Sequence, residues 1–282
     1  MQNIDLHNHS RISDGLLTPT ELVALAAKNG VTTLALTDHD DVEGLVEARA
    51  AAAALGIRLI NGVEISVTWG NHTLHILGLN IDSLQADLVN GLQSVRQGRL
   101  ERAQRISDEL AKGGIEGALE GALRYASNPN IVARPHFARY LVEKGIARDV
   151  PAVFKRFLVK GKMGYVKHRW ADLGDAVSWI RAAGGVPVLA HPGRYEVGRA
   201  SMDNLIDEFV AAGGQGLEVV TGNHTREQIE RFAAHAAKRQ LYASRGSDYH
   251  GPGESYFEPG KIPPLPLQCM PVWTAWGETQ IQ

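Results

Sequence analysis

Val31-Thr32-Thr33-Leu34-Ala35-Leu36-Thr37-Asp38-His39-Asp40 is the stretch from which the fold can be read. Residues 31–37 are β-branched or apolar and predict a strand, and an imidazole between two carboxylates follows directly. A helix is expected from about 42 to 55, ending at Gly56. Upstream, Thr18-Pro19-Thr20-Glu21 has the capping-box pattern with proline at the first helical position, and the helix it opens runs to Gly30. The same strand-then-helix unit recurs. Strands are expected at 57–67, 186–190, 217–220 and 241–244, and helices at 175–183, 201–212 and 225–240, the last opened by Thr225 and Gln228. Residues 73–79 either pair with the strand before them or open a unit of their own. Such alternation predicts an α/β fold with parallel pairing, either a β/α barrel or an open sheet.

Residues 99–171 break the rhythm with helical periodicity and little strand signal. They are read as a helical insertion into a barrel made of 1–98 and 172–282. Between Arg124 and Arg169 there are eleven Lys or Arg against two acids, Glu143 and Asp149, although the whole chain of 282 residues has a net charge of −2. A basic insertion on an acidic body suits an anionic partner. Hydrophobic residues at 44% and charged residues at 21% supply a sizeable core and exclude a disordered chain. The single cysteine, Cys269, excludes an internal disulfide framework and a cysteine-based zinc site. The charge-free stretch 262–277 carries Pro263, Pro264, Pro266 and Pro271 and cannot make a spanning helix. Asp5, His7 and His9 interrupt any leader pattern, so a soluble cytoplasmic protein is expected. The proline-rich tail after Gly251 is expected to wrap the surface in extended form.

Metal-ligand side chains recur at one position in these units. Asp5-Leu6-His7-Asn8-His9 places two imidazoles two residues apart, and in a strand such residues face the same way. His39, Glu64, His75, His191, Asp248 and His250 each fall at or just past the carboxyl end of an expected strand, the edge where βα folds build active sites.

In order along the chain, Asp5-x-His7-x-His9-x-x-x-Ser13-Asp14-Gly15, Thr37-Asp38-His39-Asp40, Gly62-Val63-Glu64-Ile65-Ser66, Ala190-His191-Pro192-Gly193 and Gly246-Ser247-Asp248-Tyr249-His250-Gly251 resemble the motif set of the polymerase and histidinol phosphatase (PHP) family of metal-dependent phosphoesterases. Tyr249 stands where many relatives have phenylalanine. The resemblance implies a distorted seven-stranded β/α barrel holding two or three divalent ions. It assigns His7, His9, Glu64 and Asp248 to one ion, bridging Glu64 with His75 and His191 to a second, and Asp14, His39 and His250 to a third. Nitrogen and oxygen donors without thiolate favour manganese, then iron or zinc. The nucleophile implied is a hydroxide shared by two ions, and no serine or cysteine motif suggests a phosphoenzyme. The insertion and Val219-Val220-Thr221-Gly222-Asn223-His224 resemble the branch acting on nucleotides. That branch contains nucleoside 3',5'-bisphosphate phosphatases and 5'-to-3' trimming exoribonucleases.

Substrate groups are expected to be phosphate binders. Arg194 lies three residues after His191; Arg134 and His136 open a helix in the insertion, where amides and dipole attract anions; Lys167, His168 and Arg169 lie on the return to the barrel. Phe137, Tyr140, Phe154, Phe157, Tyr165 and Trp170 are candidates for base stacking, most of them expected in the insertion's own core. Asp5 and Asp38 are expected to orient ligand histidines and Asp40 to orient or to cap; for His224, before a helix near a strand end, a packing role is expected ahead of one lining the site. The expected substrate is a nucleoside 3',5'-bisphosphate, with a short 5'-phosphorylated RNA as the alternative. No membrane, duplex DNA or obligate protein partner is expected. A non-catalytic nucleic-acid-binding module is a reading from another class, disfavoured because a purely structural cluster needs no open coordination. Amide hydrolysis is disfavoured by the basic insertion.

Overall fold

The computed structural model describes residues 2–277. Its strands are β1 (Ile4–Asp5), β2 (Thr33–Leu36), β3 (Arg58–Trp69), β4 (His72–Leu79), β5 (Ala171–Asp172), β6 (Val186–Leu189), β7 (Gly216–Thr221) and β8 (Tyr242–Gly246). They form one sheet in the order β1-β2-β3-β4-β6-β7-β8, with β5 paired to β3 outside that path. The chain just past β1 meets β8: the Leu6 amide donates to the Arg245 carbonyl at 3.0 Å and the Asp248 amide to the His7 carbonyl at 2.9 Å. The seven strands on the path therefore curl into a nearly closed barrel. Gly246 makes this approach possible, because a Cβ there would stand 2.2 Å from that of His7.

Pairing is parallel except around β4, which runs antiparallel to both β3 and β6. Of the two readings left open for 73–79, pairing with the strand before it is the one the structure shows, and the direction has a local reason. Only Gly70 and Asn71 separate β3 from β4, with Gly70 at φ 56°, and two residues can close a hairpin but not a crossover. Glu64 and His75 consequently lie inside strands rather than past their ends. Because β4 is reversed, its first half reaches the rim where the parallel strands finish.

Three helices cover the outside as the caps foretell: α1 (Pro19–Lys28), α2 (Gly44–Leu55) and α9 (Arg226–Lys238). Thr18 and Glu21 complete the first capping box, Thr225 and Gln228 that of α9, and Gly56 ends α2 in the left-handed region. Buried Leu22, Val23 and Ala26 of α1 and Leu45, Ala48 and Ala52 of α2 pack on Leu34 and Leu36. The helices α7 (Leu173–Ala182) and α8 (Arg199–Ala211) complete the coat.

The middle segment is joined to the barrel by one continuous helix. α3 (Ala86–Lys112) has 27 residues, about 40 Å at 1.5 Å per residue. Leu88 and Leu92 pack into the barrel's core with Val177 and Ile180. Ala103, Ile106 and Leu110 belong to a second apolar cluster with Phe137, Tyr140, Leu141 and Phe157. α4 (Ala118–Leu123), α5 (Arg134–Glu143), α6 (Val150–Val153) and a π-helical turn at Phe154–Leu158 complete this cap. Arg99 and Arg102 lie on α3 where one core gives way to the other, and both are buried.

The tail after Gly251 runs mostly exposed and without regular secondary structure as far as Met270, as expected, but its described end turns inward, and residues 278–282 lie outside the described residues. Val272 and Trp273 are buried among Ile4, Leu6, Ile60, Val186 and Val188, sealing the end of the barrel where the parallel strands begin. No helix among the described residues is long and apolar enough to cross a membrane.

Candidate active site

The rim opposite the tail gathers the ligand-type side chains. His7 and His9 follow β1, and their Nε2 atoms stand 3.1 Å apart. Glu64 enters from the middle of β3. Its Oε1 lies 2.9 Å from His191 Nε2, 3.0 Å from His75 Nδ1 and 3.4 Å from His7 Nε2, and its Oε2 lies 2.9 Å from His39 Nδ1 and 3.2 Å from His9 Nε2. Asp248 Oδ1 is 3.4 Å from His9 and 3.5 Å from His7. Asp14 lies 3.4 Å from His250 Nε2 and 3.8 Å from His39 Nε2. All nine residues singled out as ligands thus meet in one place. Four overlapping groups have donor atoms within 4.8 Å of one another: His9-Asp14-His39-His250, His7-His9-Asp248, His7-Glu64-His191 and His39-Glu64-His75. His39 is therefore shared between Glu64 and Asp14, where the resemblance assigned it to Asp14's group alone.

The donors fit divalent cations. Among the described residues, buried His9 Nδ1, Asp14 Oδ1, His39 Nδ1, Glu64 Oε2, His191 Nδ1 and Asp248 Oδ1 make no hydrogen bond of proper geometry. Converging buried imidazoles and carboxylates left in this state are costly unless a cation gathers them. Backbone strain collects here too: Asp40, His191 and Asp248 have φ of 51°, 28° and 53°, a region that residues with a Cβ rarely adopt.

Protons stand in for cations in the bare chain. Burial opposes the charged form of His7, but Glu218, Glu64 and Asp248 hold its pKa well above the ordinary value of 6.5. Burial opposes protonation of His9 as well, yet Asp248 and Glu64 push its pKa up to about 10. Between pH 6.5 and about 10 these two histidines therefore bind more protons in the folded chain than in the unfolded one. The associated stability is full below 6.5 and is lost as pH rises, by about 1.4 kcal/mol per pH unit for each extra proton. Urea unfolding of chelator-treated protein should show lower stability at pH 9 than at pH 7. Saturating divalent metal should abolish the trend, since metal displaces those protons. A flat profile after chelation would contradict this account.

The three acids expected to orient histidines do other work. Asp5 accepts from the Ser247 amide at 2.9 Å, the Gly260 amide at 2.7 Å and Asn8 Nδ2 at 2.9 Å. Asp38 accepts from the Ser10 amide at 2.8 Å and from the Ser10 and Ser13 hydroxyls at 2.7 and 2.6 Å. Asp40 neither orients an imidazole nor caps a helix: it accepts from the Ser66 amide at 2.6 Å and pairs with Arg99. These carboxylates fix the loops that carry the ligands. The acid that does grip a ligand imidazole is Glu218 of β7. It accepts from His7 Nδ1 at 3.0 Å and from the His191 amide at 2.7 Å. A fully buried acid between Leu217 and Val219 in an apolar strand is the signal that could have identified it.

Arg194 Nη1 donates to Asp248 Oδ2 at 2.5 Å, and its half-exposed side chain faces the cleft beside the cluster. The turn that carries it is fixed by His224, whose Nδ1 donates to the Val219 carbonyl at 2.9 Å while Nε2 accepts from the Gly193 amide at 3.0 Å. His224 supports the site rather than lining it. On the cap side the cleft is walled by Arg99, Arg102, Arg134, Tyr165, His168 and Trp170. Trp170 lies under both Arg99 and Arg102, with guanidinium carbons 4.9 and 5.2 Å from its ring. Among the described residues no carboxylate pairs with Arg102 or Arg134. Burial first, then Arg134 and Arg99, pull the pKa of Arg102 down to about 9.

Other expected binders face elsewhere. His136 is buried, its Nδ1 accepting from the Ala133 amide at 3.0 Å to cap α5. Lys167 and Arg169 are exposed, bonded to Asn71 at 3.0 Å and Asp172 at 3.1 Å. Of the aromatic residues, Phe154, Tyr165 and Trp170 reach the cleft; Phe137, Tyr140 and Phe157 fill the cap's core.

The family model described as PHP domain matches residues 5–182. The 3',5'-nucleoside bisphosphate phosphatase of Chromobacterium violaceum is 53% identical over 273 residues, covering 97% of this chain and 96% of that protein. The 5'-3' exoribonuclease Rnm of Escherichia coli is 41% identical over 278 residues, covering 98% and 94%. A solved structure of an amidohydrolase from Chromobacterium violaceum, with bound sulfate and no metal, superposes with a TM-score of 0.94 at 52% identity, covering 97% of this chain and 95% of that one.

Proposed function

Since the chain belongs to the PHP domain family, we propose that its rim cluster hydrolyses the phosphate ester of a nucleotide, a nucleoside 3',5'-bisphosphate first of all, to a nucleoside monophosphate and inorganic phosphate. The chain is a phosphoesterase; the identity of its substrate is our reading. One observation supports it above the others: Arg102 and Arg134, without a carboxylate partner among the described residues, stand in the cleft that the cluster opens into. Buried guanidinium groups are costly without an anion, and a second phosphate supplies one. Uncharged amides would not, which sets amide hydrolysis aside.

In this reading nine residues hold the ions: His7, His9, Asp14, His39, Glu64, His75, His191, Asp248 and His250. The mixed nitrogen and oxygen donor set favours manganese over iron or zinc, in two or three sites. When bound, such ions supply water activated near neutral pH and positive charge for the phosphoryl oxygens. Glu218 keeps His7 in one tautomer by accepting its Nδ1 proton. Arg194 is poised to grip the reacting phosphate while tethered to Asp248. Arg102 and Arg134 bind the other phosphate, with His168 and Tyr165 beside them. Residues 99–171 act as the substrate-binding cap on the barrel of 1–98 and 172–282, and the cytoplasm, with its nucleotides, is the compartment that suits it.

A 5'-to-3' exoribonuclease activity on short 5'-phosphorylated RNA uses the same groups and is the second reading, favoured by the Escherichia coli relative. Neither reading requires duplex DNA, a membrane or another protein. The test is a panel of nucleoside mono- and bisphosphates and 5'-phosphorylated RNA oligomers assayed with added manganese. We expect phosphate release from adenosine 3',5'-bisphosphate, abolished by chelator. Absence of turnover on every bisphosphate, or turnover indifferent to chelator, would overturn the reading.

A further inference from the structure

The cleft does not end at the cluster. Past Arg194, Asp248 and His250, on the side away from Arg102, it continues to a second mouth edged by Pro151, Phe154, Asn223, Ser255 and Tyr256. Phe154, Arg194, Asp248 and His250 line both parts, so the two adjoin beside the cluster. A nucleoside bisphosphate has no use for the second mouth, because its reacting phosphate ends in free oxygens. In an oligonucleotide one of those oxygens carries the next nucleoside, which stays on the phosphate when the bond to the first nucleoside's oxygen breaks and so needs room beyond it.

The mouth offers an aromatic face for that nucleoside. Tyr256 is 84% exposed, an unusual setting for so large a ring. It stands on an anchored loop: the His250 amide donates to Ser255 Oγ at 2.7 Å, and Glu254 accepts from Arg139 of the cap at 2.9 and 2.8 Å. That same Arg139 donates to the Asp14 carbonyl. The loop that carries the ring is thus bonded on one side, through Ser255, to the cluster residue His250 and on the other, through Glu254, to the cap.

From this geometry we infer that the second mouth receives the nucleotide following the scissile phosphate of a single-stranded oligonucleotide, with Tyr256 stacking on its base. The inference rests on the phosphoesterase reading above and goes beyond it by assigning a route and a residue for polymeric substrate. Stacking on an aromatic side chain is tolerant of sequence, so any base is accepted.

The test compares kcat/KM of the manganese-loaded full chain on adenosine 3',5'-bisphosphate and on a 5'-phosphorylated RNA hexamer, for the unaltered protein, Tyr256→Ala and Tyr256→Phe. Losing one stacked base is expected to lower hexamer cleavage by about 10-fold in Tyr256→Ala, mainly through KM. Bisphosphate hydrolysis should stay within about twofold, and Tyr256→Phe, which keeps the ring, should match the unaltered protein on both substrates. An unchanged ratio in Tyr256→Ala would overturn the assignment, as would an equal loss in Tyr256→Phe. Bisphosphate turnover without any hexamer cleavage would overturn the route while leaving the phosphoesterase reading intact. Failure on both substrates would overturn the two together.

Discussion

Glu64→Gln is expected to lower hydrolysis of a nucleoside bisphosphate by about 10³-fold and to reduce the metal content of the purified protein. The size follows from what the side chain touches. Its two oxygens approach five imidazole nitrogens, those of His7, His9, His39, His75 and His191, at 2.9 to 3.4 Å. Burial opposes ionisation of Glu64, yet His75, His39 and His7 hold its carboxyl well below the usual range, which favours the charged form. Glutamine preserves the volume but removes that charge and turns an N–H donor toward imidazole nitrogens needed as metal donors. Charge stabilisation at a metal centre is worth several kcal/mol, and about 4 kcal/mol corresponds to 10³ in rate. Initial rates with saturating manganese, together with metal analysis, provide the measurement. Full activity with unaltered metal content would show that Glu64 is not at the centre of the cluster's chemistry.

The rim cluster of imidazoles and carboxylates is the part of this protein most openly written in its sequence. Imidazoles and carboxylates placed after successive strands converge because parallel strands finish at one rim, so His7, His39, His191 and Asp248 can be located from strand positions alone. Glu64 and His75 reach the same rim by a different route, through the hairpin at Gly70-Asn71, and a two-residue turn was the clue to antiparallel pairing. Capping boxes at Thr18 and Thr225 were legible because their hydrogen bonds are local. What stayed hidden depends on direction rather than residue type. Arg99 and Arg102 lie in Gly98-Arg99-Leu100-Glu101-Arg102-Ala103, which has the look of a solvated helical face. Only the crossing of α3 between two cores turns them inward. Lys167 and Arg169, which belong to the basic run 124–169, point to solvent on either side of the half-buried His168. Glu218 has no motif around it; its role comes from a partner more than two hundred residues away in sequence, His7.

Arg102→Met is expected to act with opposite signs on stability and catalysis. In the free protein Arg102 is 7% exposed and its guanidinium packs on Trp170, with Arg134 and Arg99 as electrostatic neighbours and no carboxylate partner among the described residues. Its pKa of about 9 expresses the cost of keeping that charge out of water beside other cations. Methionine fills much of the same volume, remains in contact with the indole and removes the charge. Replacing buried charge with apolar side chains of similar size is often neutral or stabilising by 1–4 kcal/mol, so urea denaturation of the metal-loaded protein should shift to higher midpoints by about 1–2 kcal/mol. With a bisphosphorylated nucleotide the same change removes a desolvated grip on the second phosphate. Truncating one partner of such a pair costs 2–5 kcal/mol, so kcat/KM should fall by about 10²-fold. A nucleoside monophosphate, lacking the second phosphate, should lose far less. The comparison of the two substrates separates phosphate recognition from general damage to the site. A variant less stable than its parent, or one that slows both substrates equally, would mean that Arg102 holds the cap together rather than waiting for an anion.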